Sequence, residues 1–273
     1  MYQQAGLWVI NRLARSADYS LETDISYGRH HRQQLDHYRL KGSNNPPTVL
    51  FFYGGNWRSG RRQDYRFVAD TLLTLGFNVI VPDYRLYPLV RFEDIREDAV
   101  AAFEKSCGLS EASELFVMGH SAGAQLATLL TLDQSLSSLT HRVRGCIGLS
   151  GPYDFYPFTD DDHWDLFGPA EIYPESQAVN FIRADAAPLY LLHGEDDARV
   201  RRGHSKSLME KQLSVGGQAT REVYAGLGHA DLIVQFSRLH RSSAAVVGDV
   251  KEFINETQTT AFVYQKEETI HGT

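Results

Sequence analysis

From about residue 48 onward, short runs of consecutive apolar residues alternate with segments of helical spacing, and few folds satisfy that alternation. Thr48 to Phe52, Phe77 to Val81, Glu114 to Met118, Val143 to Leu149, Leu189 to Leu192 and Ala219 to Tyr224 read as strands. Tyr65 to Leu75, Phe92 to Lys105, Ala124 to Leu132, Ser205 to Leu213, Asp231 to His240 and Ala244 to Ile254 read as helices. A strand that is apolar on both faces must be covered on both, and crossover helices provide that cover. The pattern therefore predicts an α/β domain with a parallel sheet between helical layers. Upstream, Gln34 to Leu40 alternates polar and apolar residues and predicts an antiparallel edge strand.

At 273 residues and 42% apolar content, the chain can build one sizeable core, and no Pro/Gly/Ser-rich linker divides it. Its net charge of −7 argues against nucleic acid as a partner. The basic run Arg58-Ser59-Gly60-Arg61-Arg62 precedes Asp64 and carries no stacking aromatics, so it reads as a solvated loop. Two isolated cysteines, Cys107 and Cys146, read as buried small hydrophobes in a reducing compartment. The apolar run Leu7 to Ile10 is too short for a signal-peptide core, and no segment has the length of a membrane span. The expected location is the cytoplasm. The stretch from Pro152 to Ala187 breaks the rhythm, mixing aromatics such as Phe155, Phe158 and Trp164 with prolines and aspartates. An insertion of that length reads as a lid or pocket wall over residues 152–187. Residues 256–273 are polar and non-periodic and read as a flexible tail.

The chemistry centres on Gly119-His120-Ser121-Ala122-Gly123, a G-x-S-x-G motif between the Glu114–Met118 strand and the Ala124–Leu132 helix. A strand that turns sharply into a helix strains the residue at the turn and leaves no room for side chains on its neighbours. The serine is thereby exposed at a helix N-terminus, where developing negative charge is favoured. A serine merely capping an αβ turn is the plain alternative.

A serine hydroxyl needs a base, an acid that orients the base, and donors for the oxyanion. Of the eleven histidines, only His229, in Gly226-Leu227-Gly228-His229-Ala230, follows a strand and glycines and precedes a helix at the carboxyl edge of the sheet. The loop Glu195-Asp196-Asp197 offers the acid just past a strand, with Asp154 a more distant candidate. Tyr53-Gly54-Gly55-Asn56-Trp57 follows the first strong strand, and paired glycines let backbone amides approach a substrate oxygen. Gly55 and Asn56, with Ala122 after the serine, are the expected oxyanion donors. Asp160-Asp161-Asp162-His163 is the one metal-like cluster, and adjacent loop carboxylates read as solvated.

With those residues in place, the chain resembles the α/β-hydrolases, from about Tyr27 to about Ile254, in the esterase/lipase branch with hormone-sensitive-lipase-like and kynurenine-formamidase-like enzymes. Tyr53-Gly54-Gly55-Asn56-Trp57 stands for H-G-G-x-W, Asp83-Tyr84-Arg85-Leu86 follows the next strand, and the family's H-G-x-x-D-x-x-V falls on His193 to Val200. That register selects Asp197 over Asp196 as the acid. The resemblance implies a mostly parallel sheet of about eight strands with helices on both faces. It also implies an acyl-enzyme mechanism on small or medium carboxylic esters, with Ser121, His229 and Asp197 as the triad and neither cofactor nor metal. Trp57, Phe155 and Phe158 are the expected substrate-pocket residues. The expected partner is a small-molecule ester, with no nucleic acid and no membrane span, and the chain a monomer or homodimer. Two other readings are an arylformamidase-like amide hydrolase and a non-catalytic binding protein on a hydrolase scaffold. The chain departs from the family at Tyr53, where a histidine normally braces the oxyanion loop, and Tyr53 offers its own hydroxyl for that role.

Overall fold

The computed structural model describes residues 10–11, 17–110, 114–241 and 244–270, with side chains described up to residue 259. Eight strands form a single sheet: β1 (Tyr19–Ser26), β2 (Gln34–Leu40), β3 (Thr48–Phe52), β4 (Asn78–Pro82), β5 (Leu115–His120), β6 (Val143–Leu149), β7 (Leu189–Gly194) and β8 (Ala219–Tyr224). Their order is β1-β2-β4-β3-β5-β6-β7-β8. The pairs β1–β2 and β2–β4 are antiparallel and every later pair is parallel. Every residue of β3, β4, β5 and β7 is buried, which is why these strands read as continuous apolar runs.

The helices are α1 (Arg66–Thr74), α2 (Phe92–Leu109), α3 (Ala122–Leu132), α4 (Asp161–Leu166), α5 (Gly203–Ser214), α6 (His229–Val234) and α7 (Ala245–Ile270). α3 packs on β3, β5 and β6 and is buried along its whole length, so the segment after Ser121 is anchored in the core. α5 covers β7 and β8, and α7 packs on β6, its Phe253 also stacking on Tyr190 of the adjacent β7 at 5.1 Å.

The structure corrects four expectations. β2 is an inner strand, and the edge belongs to β1, whose residues are mostly exposed and carry no apolar run to reveal them. The basic run is not solvated throughout, for its last residue is buried. Arg62 is 4% exposed and its guanidinium meets Asp24, Asp36 and Asp83, three carboxylates remote from it in sequence. The last helix continues to Ile270, so residues 256–270 extend α7, while 271–273 lie outside the described residues. Its polar residues include strong helix formers such as Gln265, Lys266 and Glu267. Finally, the insertion is not irregular throughout: it contains α4 and 3₁₀ turns at Ala170–Ser176 and Ala178–Asn180.

Candidate active site

The loops after β3, β5, β7 and β8 meet at the carboxyl edge of the sheet, where open α/β sheets build their sites. Ser121 caps α3 with φ 55° and ψ −122°, a conformation that a non-glycine residue adopts only when its surroundings impose it. They do so here. A Cβ on Gly119 would lie 2.2 Å from the Gly123 carbonyl oxygen, and one on Gly123 would lie 2.1 Å from that of Phe52. The glycines of the motif are thus a packing requirement, and the turn they permit lifts Ser121 to the edge of the cavity.

The structure brings Ser121, His229 and Asp197 together. His229 Nε2 is 2.9 Å from Ser121 Oγ, and its Nδ1 is 2.8 Å from Asp197 Oδ2. The other carboxylate oxygen, Oδ1, accepts from the backbone amides of Arg199 (2.9 Å) and Val200 (2.8 Å). Burial alone would raise the Asp197 pKa, but hydrogen bonds from His193, His229 and the Val200 amide hold it well below the usual carboxylate range. Asp197 therefore stays ionised and favours an Nδ1–H tautomer on His229, leaving Nε2 as the proton acceptor toward Ser121. Asp154 lies apart from this group, held by Ser207 and Lys211.

Two histidines that sequence reasoning left without a role support the arrangement. His193 Nε2 donates to the Val200 carbonyl at 2.8 Å and lies 3.4 Å from Asp197 Oδ2, fixing the acid loop from beneath. His120 Nε2 donates to the backbone carbonyl of His229 at 3.0 Å, tying the base loop to the elbow. Burial first, then the neighbouring His229, pull the His120 pKa down to about 3, so it is a neutral donor. The only signal for His120 in the sequence is its place immediately before the serine.

The loop after β3 carries three consecutive residues in left-handed backbone, Gly55 (φ 142°), Asn56 (φ 53°) and Trp57 (φ 57°). A turn closed by Arg58 and Ser59 amides on the Gly55 carbonyl (3.0 and 3.1 Å) holds them. The amides of Gly55 and Asn56 are not taken up by hydrogen bonds among the described residues. Ala122, as the first residue of α3, has no preceding turn to accept its N–H. Tyr53 anchors the start of the loop. Its hydroxyl donates to Asp83 Oδ1 at 2.7 Å and accepts from Arg32 Nη2 at 2.9 Å, and its ring is stacked between Tyr65 and Tyr84.

Trp57, Phe155 and Phe158 do not line the cavity into which Ser121 opens. Trp57 is buried, donates its indole N–H to Gln125 Oε1 at 2.9 Å, and packs with Phe155, His163 and Phe167. Phe155 and Phe158 close the same cluster. Their rings are consumed by one another, which is the physical reason they are unavailable as pocket walls. The insertion carrying them grips the loop after β3 residue by residue. His163 Nε2 is 3.4 Å from Asn56 Oδ1, aromatic rings enclose Trp57, and Asp162 pairs with Arg58. Gln125 of α3 joins both, holding Trp57 through Oε1 and the Ser176 carbonyl through Nε2 at 2.6 Å.

The cavity itself, about 450 Å³, is walled by Ile10, Tyr65, Ala230, Ile233 and Val234, with Arg58 and Arg199 as its charged residues. Among the described residues no cluster of three or more His, Cys, Asp or Glu is arranged to hold a metal.

The BD-FAE family model matches residues 35–212, well over half of the chain. The chain belongs to the BD-FAE family. As a BD-FAE member it lies within the esterase/lipase branch of the α/β-hydrolases. It is 28% identical over 244 residues to a probable isoprenylcysteine alpha-carbonyl methylesterase of Arabidopsis thaliana, a match covering 77% of this chain and 51% of that protein. It is 31% identical over 151 residues to kynurenine formamidase of Danio rerio, covering 53% of this chain and 50% of that one. The BD-FAE chain thus spans about half the length of these curated relatives. Its fold is shared with esterase B from Lactobacillus rhamnosis, with a TM-score of 0.79 at 19% identity, covering 100% of this chain and 94% of that one.

Proposed function

We propose that the chain is a serine hydrolase that cleaves carboxylic esters of small to medium size by acyl transfer. Ser121 Oγ attacks the carbonyl carbon as His229 Nε2 takes its proton, and Asp197 stabilises the imidazolium through Nδ1–H. The amides of Gly55, Asn56 and Ala122 donate hydrogen bonds to the oxyanion. The imidazolium returns the proton to the departing alkoxide, and a water activated by the same nitrogen hydrolyses the acyl-serine. The observation that carries this reading is the pair of contacts on His229, 2.9 Å to Ser121 and 2.8 Å to Asp197, at a serine held in left-handed backbone.

The insertion over residues 152–187 acts in this reading as a buttress for the oxyanion loop. Its aromatic cluster and Asp162 offset the cost of three consecutive positive-φ residues, on the order of 1–3 kcal/mol for each non-glycine one. Both cysteines are free and buried, which fits a reducing, cytoplasmic setting. No helix among the described residues is long and apolar enough to cross a membrane.

An amide-hydrolysing variant of the same reading is favoured by the 31% identity to kynurenine formamidase. His229 can protonate a departing amine as readily as an alkoxide, so side-by-side rates on an aryl ester and N-formylkynurenine decide between them. The test of the shared mechanism is hydrolysis of short and long p-nitrophenyl esters by wild type and Ser121→Ala. Turnover is expected to fall on the order of 10⁶-fold in the variant, and retained turnover overturns the mechanism.

A further inference from the structure

The charge of the catalytic cavity runs against that of the whole chain. The protein carries 34 acidic and 27 basic residues, yet no Asp or Glu is among the described residues lining the cavity, whereas Arg58 and Arg199 both line it. The two arginines are not equivalent. Arg58 is neutralised by Asp162, and its guanidinium lies 4.6 Å from the Tyr87 ring centroid. Arg199 is exposed and makes no side-chain hydrogen bond or ion pair among the described residues. Its position is fixed from the backbone, because its amide donates to Asp197 Oδ1 at 2.9 Å. It is also close enough to His120 for its charge to oppose protonation of that ring. Arg199 therefore lines the cavity with no ion-pair partner among the described residues, on the loop that also carries the triad acid. The opposite character is supplied by Ile10, Ile233 and Val234, which give the remaining wall an aliphatic surface.

We infer that the preferred substrate carries an anionic group, a carboxylate, beside its apolar part, and that Arg199 is the residue that recognises it. This rests on the acyl-transfer reading of Ser121 and adds a substrate class to it. A planar guanidinium with unused N–H donors matches a carboxylate by two parallel hydrogen bonds, which an ammonium or a neutral group would not reproduce. With no Asp or Glu among the described residues lining the cavity, that attraction acts without competition from them. The field of Arg199 also draws an anion toward the site against the repulsion of a net charge of −7. Neutral esters lack the partner and are the poorer substrates.

The experiment uses two matched substrate pairs. Mono-4-nitrophenyl glutarate against 4-nitrophenyl butyrate places the charge in the acyl group, and 3-acetoxybenzoate against phenyl acetate places it in the leaving group. The readout is the ratio of kcat/KM, charged over neutral, within a pair. The wild type is expected to favour the charged member of at least one pair, with a ratio that falls as salt rises. Arg199→Ala should lower that ratio about fivefold, and Arg199→Glu on the order of twentyfold, from the interaction of unit charges about 4 Å apart in a watery site. Arg202→Glu, an equal charge reversal at an exposed residue outside the cavity, should leave the ratio within about twofold of wild type. A wild-type ratio at or below one in both pairs, or a ratio equally insensitive to Arg199→Glu and Arg202→Glu, overturns the inference while leaving the serine mechanism standing. No turnover of any of the four esters, together with no fluorophosphonate adduct on Ser121, removes the mechanism and the inference with it.

Discussion

Removing one oxygen atom, in Tyr53→Phe, tests how the oxyanion loop is held. The Tyr53 hydroxyl is fully buried and makes two hydrogen bonds, both to charged groups, donating to Asp83 and accepting from Arg32. Burial, reinforced by Asp83, pushes its pKa well above the ordinary phenol value, so it is a neutral donor at every working pH. Hydrogen bonds to charged groups contribute about 1.5–3 kcal/mol each, but neither partner would be stranded. Arg32 Nη2 keeps the Gly60 carbonyl at 2.8 Å, and Asp83 keeps the amide and guanidinium of Arg62. The phenylalanine ring preserves the stacking on Tyr65 and Tyr84. The loss should therefore fall near the lower end, about 2 kcal/mol. It would be read as a shift in urea midpoint at constant m-value. Tyr84→Phe is the control. Its hydroxyl makes one neutral bond, to the Tyr53 carbonyl at 2.9 Å, and its loss should cost about 1 kcal/mol. Because Tyr53 leads directly into Gly54 and Gly55, kcat on a p-nitrophenyl ester should fall about tenfold with KM within twofold, the signature of a group that acts in the transition state. Wild-type midpoint and kcat in Tyr53→Phe would refute bracing through the hydroxyl.

Other outcomes follow from the same contacts. Gly123→Ala drives a methyl group to 2.1 Å from the Phe52 carbonyl, so it should cost more than about 3 kcal/mol or prevent folding, as seen by circular dichroism and thermal melting. His163→Ala frees Asn56 and unpacks one face of Trp57, and should lower kcat several-fold, on the order of 1 kcal/mol, with stability reduced less than by Phe167→Ala. Acid should destabilise the fold well before its carboxylates titrate. Burial lowers the pKa of His37 to about 4, and burial followed by His229 lowers that of His120 to about 3, both from 6.5. The unfolded chain then binds more protons than the native one below pH 6.5, and stability falls as pH falls through that window. At pH 5 the two rings together should cost on the order of 4 kcal/mol, measurable by urea melts at pH 7 and pH 5. His37→Asn, which cannot take up a proton, should flatten that slope.

The parts of the molecule legible in the sequence are those whose physics is local. β3, β4 and β5 are covered on both faces, so burial wrote them as uninterrupted apolar runs. The elbow is legible because Gly119 and Gly123 answer to clashes within a few residues of Ser121 and to the strand beside it. β1 escaped because an exposed edge strand is under no such pressure: Tyr19–Ser26 reads as a polar segment. Arg62 was misread for the opposite reason, since the aspartates that bury its charge come from β1, β2 and the end of β4. The aromatics of the insertion announced burial but not its location. They pack on Trp57 and one another, while the cavity takes Ile10, Tyr65, Ile233 and Val234 from segments far apart in the chain. A cavity wall is a tertiary property, and no periodicity encodes it.

The central claim is that Ser121 is an activated nucleophile, and mass spectrometry of the protein after exposure to a fluorophosphonate measures it most directly. The predicted result is one phosphonyl adduct, on Ser121. It should be absent in Ser121→Ala and form orders of magnitude more slowly in His229→Ala, where the base 2.9 Å from the hydroxyl is gone. An unmodified Ser121 in folded wild-type protein, or labelling that is indifferent to His229, would contradict it.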